Sequence, residues 1–356
     1  MPSEEQVRQA LSRVMDPELG RDIVSLGMVR DIKVAGQRVT FSLALTTMAC
    51  PLKDRLESEA KAAVAALEPG LQVDVRLTEM SEEDRRRLFG GREAEPTAAQ
   101  KLNHVQRTVA VMSGKGGVGK STVAALLAVA LRRKGLRVGV LDADITGPSI
   151  PRMFGLRQAP GMGPMGMLPV ETRTGIKVMS INLLLSAEDE AVIWRGPLIS
   201  GAIRQFWTDV LWGDLDILLL DLPPGTSDPA LTVMQAIPLN GVIMVTSPQD
   251  LAGMVVRKAA DLARALHVPI IGLVENMSYV LCPDCARKVE VFGPSHAGLT
   301  AAQLGVPLLG NLPLDPEMAR REDAGEIEEY AAEAFAPLAE AVWERIPAEQ
   351  CRPSMG

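Results

Sequence analysis

Gly114-Lys115-Gly116-Gly117-Val118-Gly119-Lys120-Ser121 has the spacing G-x-x-x-x-G-K-[ST], in which successive backbone amides turn toward a chain of phosphates. Glycine permits that close approach, the N-terminus of the following helix adds partial positive charge, Lys120 reaches the outer phosphates, and Ser121 offers a hydroxyl to Mg²⁺. Gly114 to Ser121, with Thr122 behind them, are the candidate nucleotide-binding residues. The apolar run Val109-Ala110-Val111-Met112 precedes the glycines and an apolar stretch from Val123 to Leu131 follows them, so the motif lies between a strand and a helix. Asp216-Ile217-Leu218-Leu219-Leu220-Asp221 reads as a buried strand ending in a carboxylate, and another strand ends in Asp142-Ala143-Asp144. Strand ends of this kind form the carboxyl edge of a parallel sheet, where ligands bind in open α/β folds. Asp221 is a candidate for the Mg²⁺ shell, and of Asp142 and Asp144 one can contact that shell while the other polarises the attacking water; the bland alternative is a solvated loop start at each.

Lys115 lies five residues before Lys120. Two ammonium groups this close repel unless both meet phosphate, so Lys115 is expected on a triphosphate of its own or a neighbouring subunit. From a neighbour it acts in trans, as an arginine finger does, on the charge that develops in phosphoryl transfer. ATP then bridges a homodimer, and the alternative is a solvent-facing loop lysine. Lys115, Lys120 and Asp144 are the candidate catalytic residues.

Cys282-Pro283-Asp284-Cys285 has the C-x-x-C spacing of metal or redox sites in a reducing compartment. Two thiolates leave a four-ligand site half complete, and a two-fold dimer completes it by presenting the same pair across its axis. The residues alone leave open a [4Fe–4S] cluster, a structural zinc ion with the same tetrahedral demand, and a redox dithiol. Cys50 precedes Pro51 at an expected helix start, where the helix dipole favours thiolate; it reads as a transient cluster or partner contact, or as a small core residue. Cys351 falls in an acidic tail with no role assigned. His104, His267 and His296 have neither the mutual spacing nor the acidic partners of a catalytic set.

The elements that must hold these groups follow from periodicity. A helix over 4–15, a hairpin of strands at 28–34 and 39–45 joined through Ala35-Gly36-Gln37, a helix from Pro51 to Leu67 and a strand at 71–77 make a small α+β domain over residues 1–87. Periodicity fades over 88–104, which reads as a linker. From 105 to 348 strands and helices alternate, with strands near 137–142, 176–181, 216–221, 241–246, 269–275 and 307–309 and helices near 120–134, 197–211, 250–266 and 326–345. That alternation calls for a mostly parallel sheet flanked by helices. A Gly-, Met- and Pro-rich stretch over 155–169 reads as a long mobile loop, and 349–356 as a tail.

Composition narrows the function class. The chain has 356 residues, 47% apolar and 23% charged, which fits folded domains and excludes wholesale disorder. Its longest unbroken apolar stretch, Val123 to Leu131, is far below the roughly 18 residues of a membrane span, and Glu4 and Glu5 stand where a secretory signal carries basic residues. A cytoplasmic protein without membrane or nucleic-acid partners is expected: net charge is −7, and the last 36 residues hold nine acidic and three basic groups.

Seven motifs occur in order: K-G-G-V-G-K-S-T (Lys115 to Thr122), L-D-A-D-I-x-G-P-S (Leu141 to Ser149), W-R-G-P (Trp194 to Pro197), D-x-P-P-G-T-x-D (Asp221 to Asp228), T-x-P-Q-D (Thr246 to Asp250), E-N-M-S (Glu275 to Ser278) and C-P-x-C (Cys282 to Cys285). Together they resemble the Mrp/ApbC family of ATP-binding iron–sulfur carriers, P-loop NTPases with a deviant Walker A motif. D-P-E-L (Asp16 to Leu19), D-I-V-x-L-G (Asp22 to Gly27) and T-x-x-x-C-P (Thr46 to Pro51) are similar to the MIP18-like module (domain of unknown function 59) that precedes this ATPase in many bacterial members. The resemblance implies Lys115 as the signature lysine, Asn276 as the base-recognising residue and Asp144 as the switch aspartate. It also implies ATP hydrolysis with Mg²⁺ in a homodimer, and a labile [4Fe–4S] cluster bridged by Cys282 and Cys285 for transfer to apo iron–sulfur proteins, with cluster-assembly scaffolds as further partners. Glycine follows the second cysteine in many relatives; here Ala286 does, then Arg287 and Lys288. The competing class is a ParA/MinD-type partition or positioning ATPase, which would carry a basic patch or a basic C-terminal amphipathic helix.

Overall fold

The computed structural model describes residues 2–16, 21–45, 53–80, 97–144, 147–184, 196–226, 228–331, 333 and 335–347. Cys50, Pro51, Cys351, the Trp194-Arg195 pair, residues 88–96 and the tail 349–356 lie outside the described residues. The chain divides into two compact units, Met1–Glu95 and Pro96–Gly356.

In the first unit Ser3 caps the helix Glu4–Leu11 through a reciprocal capping box with Gln6, which satisfies two amides that a helix start leaves without partners. The chain turns after Leu11, so that Met15–Asp16 can pair with Arg21–Asp22, and the helix is shorter than its apolar period suggests. Strands Val29–Ala35 and Arg38–Leu45 form the expected hairpin, with Gly36 supplying the positive φ of its turn. The helix Lys53–Ala65 carries the chain across to Gln72–Glu79, which pairs parallel to Arg38–Leu45. Val7, Leu11, Phe41, Leu43 and Leu56 close a separate core.

The second unit is an α/β sandwich around a nine-stranded sheet. Its order runs Val170–Glu171, Lys177–Ser180, Val138–Asp142, Ile217–Asp221, Thr108–Ser113, Gly241–Thr246, Ile270–Leu281, with Lys288–Val289 and Leu308–Pro313 both pairing with Ile270–Leu281. All pairings are parallel except those of Val170–Glu171 and Lys288–Val289. Apolar residues cover both faces in two clusters, so the central strands are apolar without alternation, as a doubly covered parallel sheet demands. The interior helix Lys120–Arg133 is buried from Thr122 to Leu131. Ser113, Asp142, Asp221 and Thr246 end their strands at one edge.

Four expectations need correction. The stretch 155–169 is no featureless loop: Gly161–Gly163 and Gly166–Leu168 form a small hairpin, and Gly155 presses backbone to backbone against Gly325. The end of the stretch 88–104, read as linker from its composition, holds a capped helix Ala98–Leu102 and the start of a strand His104–Val105 paired with Asp214–Leu215. The single helix over 326–345 is instead a short 3-10 turn Ile327–Glu329 and a helix Phe335–Arg345. Pro337 fixes that start, because proline fits the first helical turn and breaks a helix interior. Periodicity also missed helices Asp228–Ala236, Ala297–Leu304 and Pro316–Ala324.

Candidate functional site

The glycine loop joins the strand Thr108–Ser113 to the helix Lys120–Arg133. Gly117 and Gly119 both take positive φ, 78° and 74°, and a Cβ on Gly119 would collide with the Asn276 amide nitrogen. A Cβ on Gly114 would strike the backbone of Val255, so the loop is pinned at its start against the helix Asp250–Ala265. Only glycine meets both demands.

Lys120 is 6% exposed, and its ammonium donates to Asp221 Oδ1 at 2.5 Å and lies 3.7 Å from Asp144 Oδ2. Ser121 Oγ donates to Asp221 Oδ2 at 2.5 Å. Asp142 sits directly opposite Asp221 across the parallel strands, fully buried, and takes hydrogen bonds from Ser180 Oγ at 3.1 Å and from the Asp144 amide at 3.2 Å. Burial, and then the charge of Asp221, pushes the Asp142 carboxyl well above the usual carboxylate range; burial raises Asp221 too, against the opposing pull of Lys120 and Ser121. Two buried carboxylates meeting beside one serine hydroxyl form the hard-oxygen donor set that Mg²⁺ prefers. The hydrogen-bond partners of Asp142 are neutral groups, and Lys120 is the cation whose charge opposes the rise of its carboxyl.

Asn276 is 1% exposed; its Nδ2 donates to Val118 O at 3.1 Å, while its Oδ1 is buried without a protein partner. Such an orphan acceptor at the loop is a place for a ligand donor. Three residues further along the strand, Tyr279 lines a cavity of about 600 Å³ with Pro313, Leu314, Asp315, Arg321 and Tyr330. Tyr330 donates its hydroxyl to Asp315 at 2.7 Å, and burial with that acidic partner holds the phenol well above its ordinary pKa.

Three contacts were invisible to motif reading. Ser180 reaches Asp142 from the neighbouring strand. Glu322 faces Thr122 from a helix that the periodicity did not reveal, and burial raises its carboxyl. Gln249 takes a hydrogen bond from Lys115 Nζ; the T-x-P-Q-D motif marked that position without saying what it touches.

The two cysteines sit at the tip of a ribbon: Ile270–Leu281 runs out and returns as Lys288–Val289. The Cys282 amide donates to Arg287 O at 2.9 Å and the Ala286 amide to Cys282 O at 2.8 Å, closing a tight knuckle. Cys285 is exposed and Cys282 partly so. Amides of Asp284 and Cys285 facing the Cys282 sulfur, with the Cys285 side chain next, lower its thiol pKa, which favours the thiolate that binds metals. Leu281, Val289, Val291 and Phe292 expose apolar surface around the knuckle. Lys288 places its ammonium 4.1 Å from the Tyr279 ring centre, so that charge is engaged by the aromatic face rather than by sulfur. Among the described residues no group of three or more His, Cys, Asp or Glu could hold a metal.

Ala286 explains why glycine suits the position after the second cysteine: its φ is +55°. A side chain in the left-handed region is strained, so Ala286→Gly is expected to stabilise the chain by about 0.5–1 kcal/mol. A urea titration that shows no gain, or a loss, would mean the knuckle bears no strain there.

Comparison with known proteins agrees with both units. Residues 104–346 match the family described as NUBPL iron-transfer P-loop NTPase, and residues 4–76 match one described as iron-sulfur cluster assembly protein. The chain is 41% identical over 325 residues to an iron-sulfur cluster carrier protein of Synechocystis sp., covering 90% of this chain and 89% of the relative. A Deinococcus radiodurans protein of the same name is 42% identical over 321 residues, covering 89% and 86%. Among solved structures, a nucleotide-binding protein in complex with ADP from Archaeoglobus fulgidus superposes with TM-score 0.61 at 42% identity, over 72% of this chain and 98% of that one. The cell division ATPase MinD of Pyrococcus furiosus shares the fold, with TM-score 0.52 at 23% identity. The glycine loop, the carboxylates facing it and the cysteine knuckle therefore belong to a chain of the iron-transfer P-loop NTPase family.

Proposed function

We propose that the protein is an iron–sulfur cluster carrier that works as a nucleotide-gated homodimer. The observation that carries this reading is the exposed Cys282/Cys285 knuckle on the strand that also carries Asn276. One knuckle supplies two sulfurs, and a [4Fe–4S] cluster takes four, so a second copy related by a two-fold axis completes the set. The cluster is cargo: bound at an exposed tip between subunits, it is open to ligand exchange with an acceptor's cysteines. A bridging zinc ion would satisfy the same sulfurs, but the relatives named above are cluster carriers.

In the nucleotide site, the amides from Gly114 to Ser121 hold the phosphates and Lys120 leaves its Asp221 contact for the outer ones. Ser121, with Asp142 and Asp221 behind it, would hold Mg²⁺, which neutralises charge on the phosphates when bound. Asp144 orients the attacking water, and Lys115 of the opposite subunit meets the γ-phosphate, adding positive charge as the bond to the leaving oxygen breaks. The free Asn276 Oδ1 would accept a hydrogen bond from the base. The cytoplasm, where thiols stay reduced, suits this chemistry; among the described residues no helix is long and apolar enough to cross a membrane. The last described helix, Phe335–Arg345, bears one basic residue in its last turn and does not supply the basic amphipathic face that the partition-ATPase reading expects.

Transfer is the direct test. Chain reconstituted anaerobically with iron and sulfide should activate an apo-enzyme that requires a [4Fe–4S] cluster, faster than free iron and sulfide do and in the presence of a chelator. Activation that the chelator abolishes would count against a carrier.

A further inference from the structure

Lys115 is committed within its own chain. Its ammonium donates to the side-chain oxygen of Gln249, its only side-chain partner among the described residues. The contact is built rather than incidental. Ser113 Oγ donates to Lys115 O at 2.9 Å, fixing the lysine backbone. Gly114 packs against the Val255 backbone without room for a Cβ, which fixes the glycine loop to the helix that Gln249 begins. Gln249 is the N-cap residue of that helix, yet its side chain makes no capping hydrogen bond. It reaches across to the lysine instead. A glutamine holds an ammonium through a neutral oxygen, more weakly than a carboxylate would, so the contact is strong enough to order Lys115 and weak enough to surrender it to a phosphate.

We propose that Gln249 is a positioning residue that parks Lys115 in cis, so that the separated subunit hides its trans-acting lysine until a partner's triphosphate takes the ammonium away. This rests on the dimer reading above. The parked contact must break before the bridging one forms, so Gln249 raises the protein concentration at which nucleotide drives dimerisation.

Two substitutions move that threshold in opposite directions, which loss of packing alone does not do. With a non-hydrolysable ATP analogue and Mg²⁺, sedimentation over a protein dilution series gives the concentration of half-dimerisation. Gln249→Ala frees Lys115 and should lower it about 10–100-fold, because each dimer breaks two such contacts and one exposed hydrogen bond is worth about 3–10-fold. Gln249→Glu replaces the neutral acceptor with a carboxylate and should raise it by at least as much. In a Lys115→Ala background, Gln249→Ala should shift nothing, because the two residues act as one pair. If both variants weaken dimerisation, or neither moves it while the wild type dimerises, the parking role is wrong and the dimer reading stands. A wild-type chain that stays monomeric with the analogue at every concentration overturns both.

Discussion

Cys282→Ala with Cys285→Ala should leave a folded, nucleotide-competent chain that binds no iron after anaerobic reconstitution, against about four irons per pair of chains for the wild type. The fold survives because neither sulfur contributes to a core: both lie at the tip of a ribbon, on the solvent side of Leu281 and Lys288. The amides of Asp284 and Cys285 that face the Cys282 sulfur serve the thiolate rather than the backbone ladder. Transfer activity should fall to background with the iron, while nucleotide affinity changes little. Iron measured with sulfide and the visible absorption band decides the result. Retention of about four irons by the double variant would move the ligand set elsewhere.

Lys120→Ala should lower ATP turnover by about 10³-fold or more, the scale lost with a principal phosphate-stabilising charge. Its ammonium is the group bonded to Asp221 at 2.5 Å, so the variant also leaves Asp142 and Asp221 as facing buried carboxylates without a cation between them. Like charges so placed cannot both ionise readily, and the variant should take up protons at that edge and lose thermal stability before nucleotide is added. Phosphate release measured under saturating Mg²⁺-ATP gives the first effect and a melting curve the second. Unchanged turnover would show that hydrolysis does not pass through the glycine loop.

The glycine loop and the carboxylates that face it were legible because they are local in the chain. Gly114 to Ser121 are contiguous, and Asp142 and Asp221 each end an apolar run, so type and spacing carried them. Groups joined across the fold were not: Ser180 lies 38 residues from Asp142 in the chain, and their meeting depends on the order of parallel strands. Glu322 was hidden for another reason. Its helix, Pro316–Ala324, is polar along most of its length and buries only Met318, so periodicity left no trace of it. The Met-rich 161–168 segment misled in the opposite sense, because glycine and proline suggest irregular chain while here they serve a hairpin turn. Ala286 was visible as a departure from the pattern of the family that the sequence resembles, but the reason glycine suits that place needed the backbone angle.

Native mass measurement of the anaerobically reconstituted chain, before and after dilution, tests the shared cluster most directly. One four-iron, four-sulfide unit should appear on two chains together, and on no single chain. A cluster carried by an isolated subunit, or a pair of chains joined by zinc after reconstitution with iron and sulfide, would contradict a cargo held between two copies of Cys282 and Cys285.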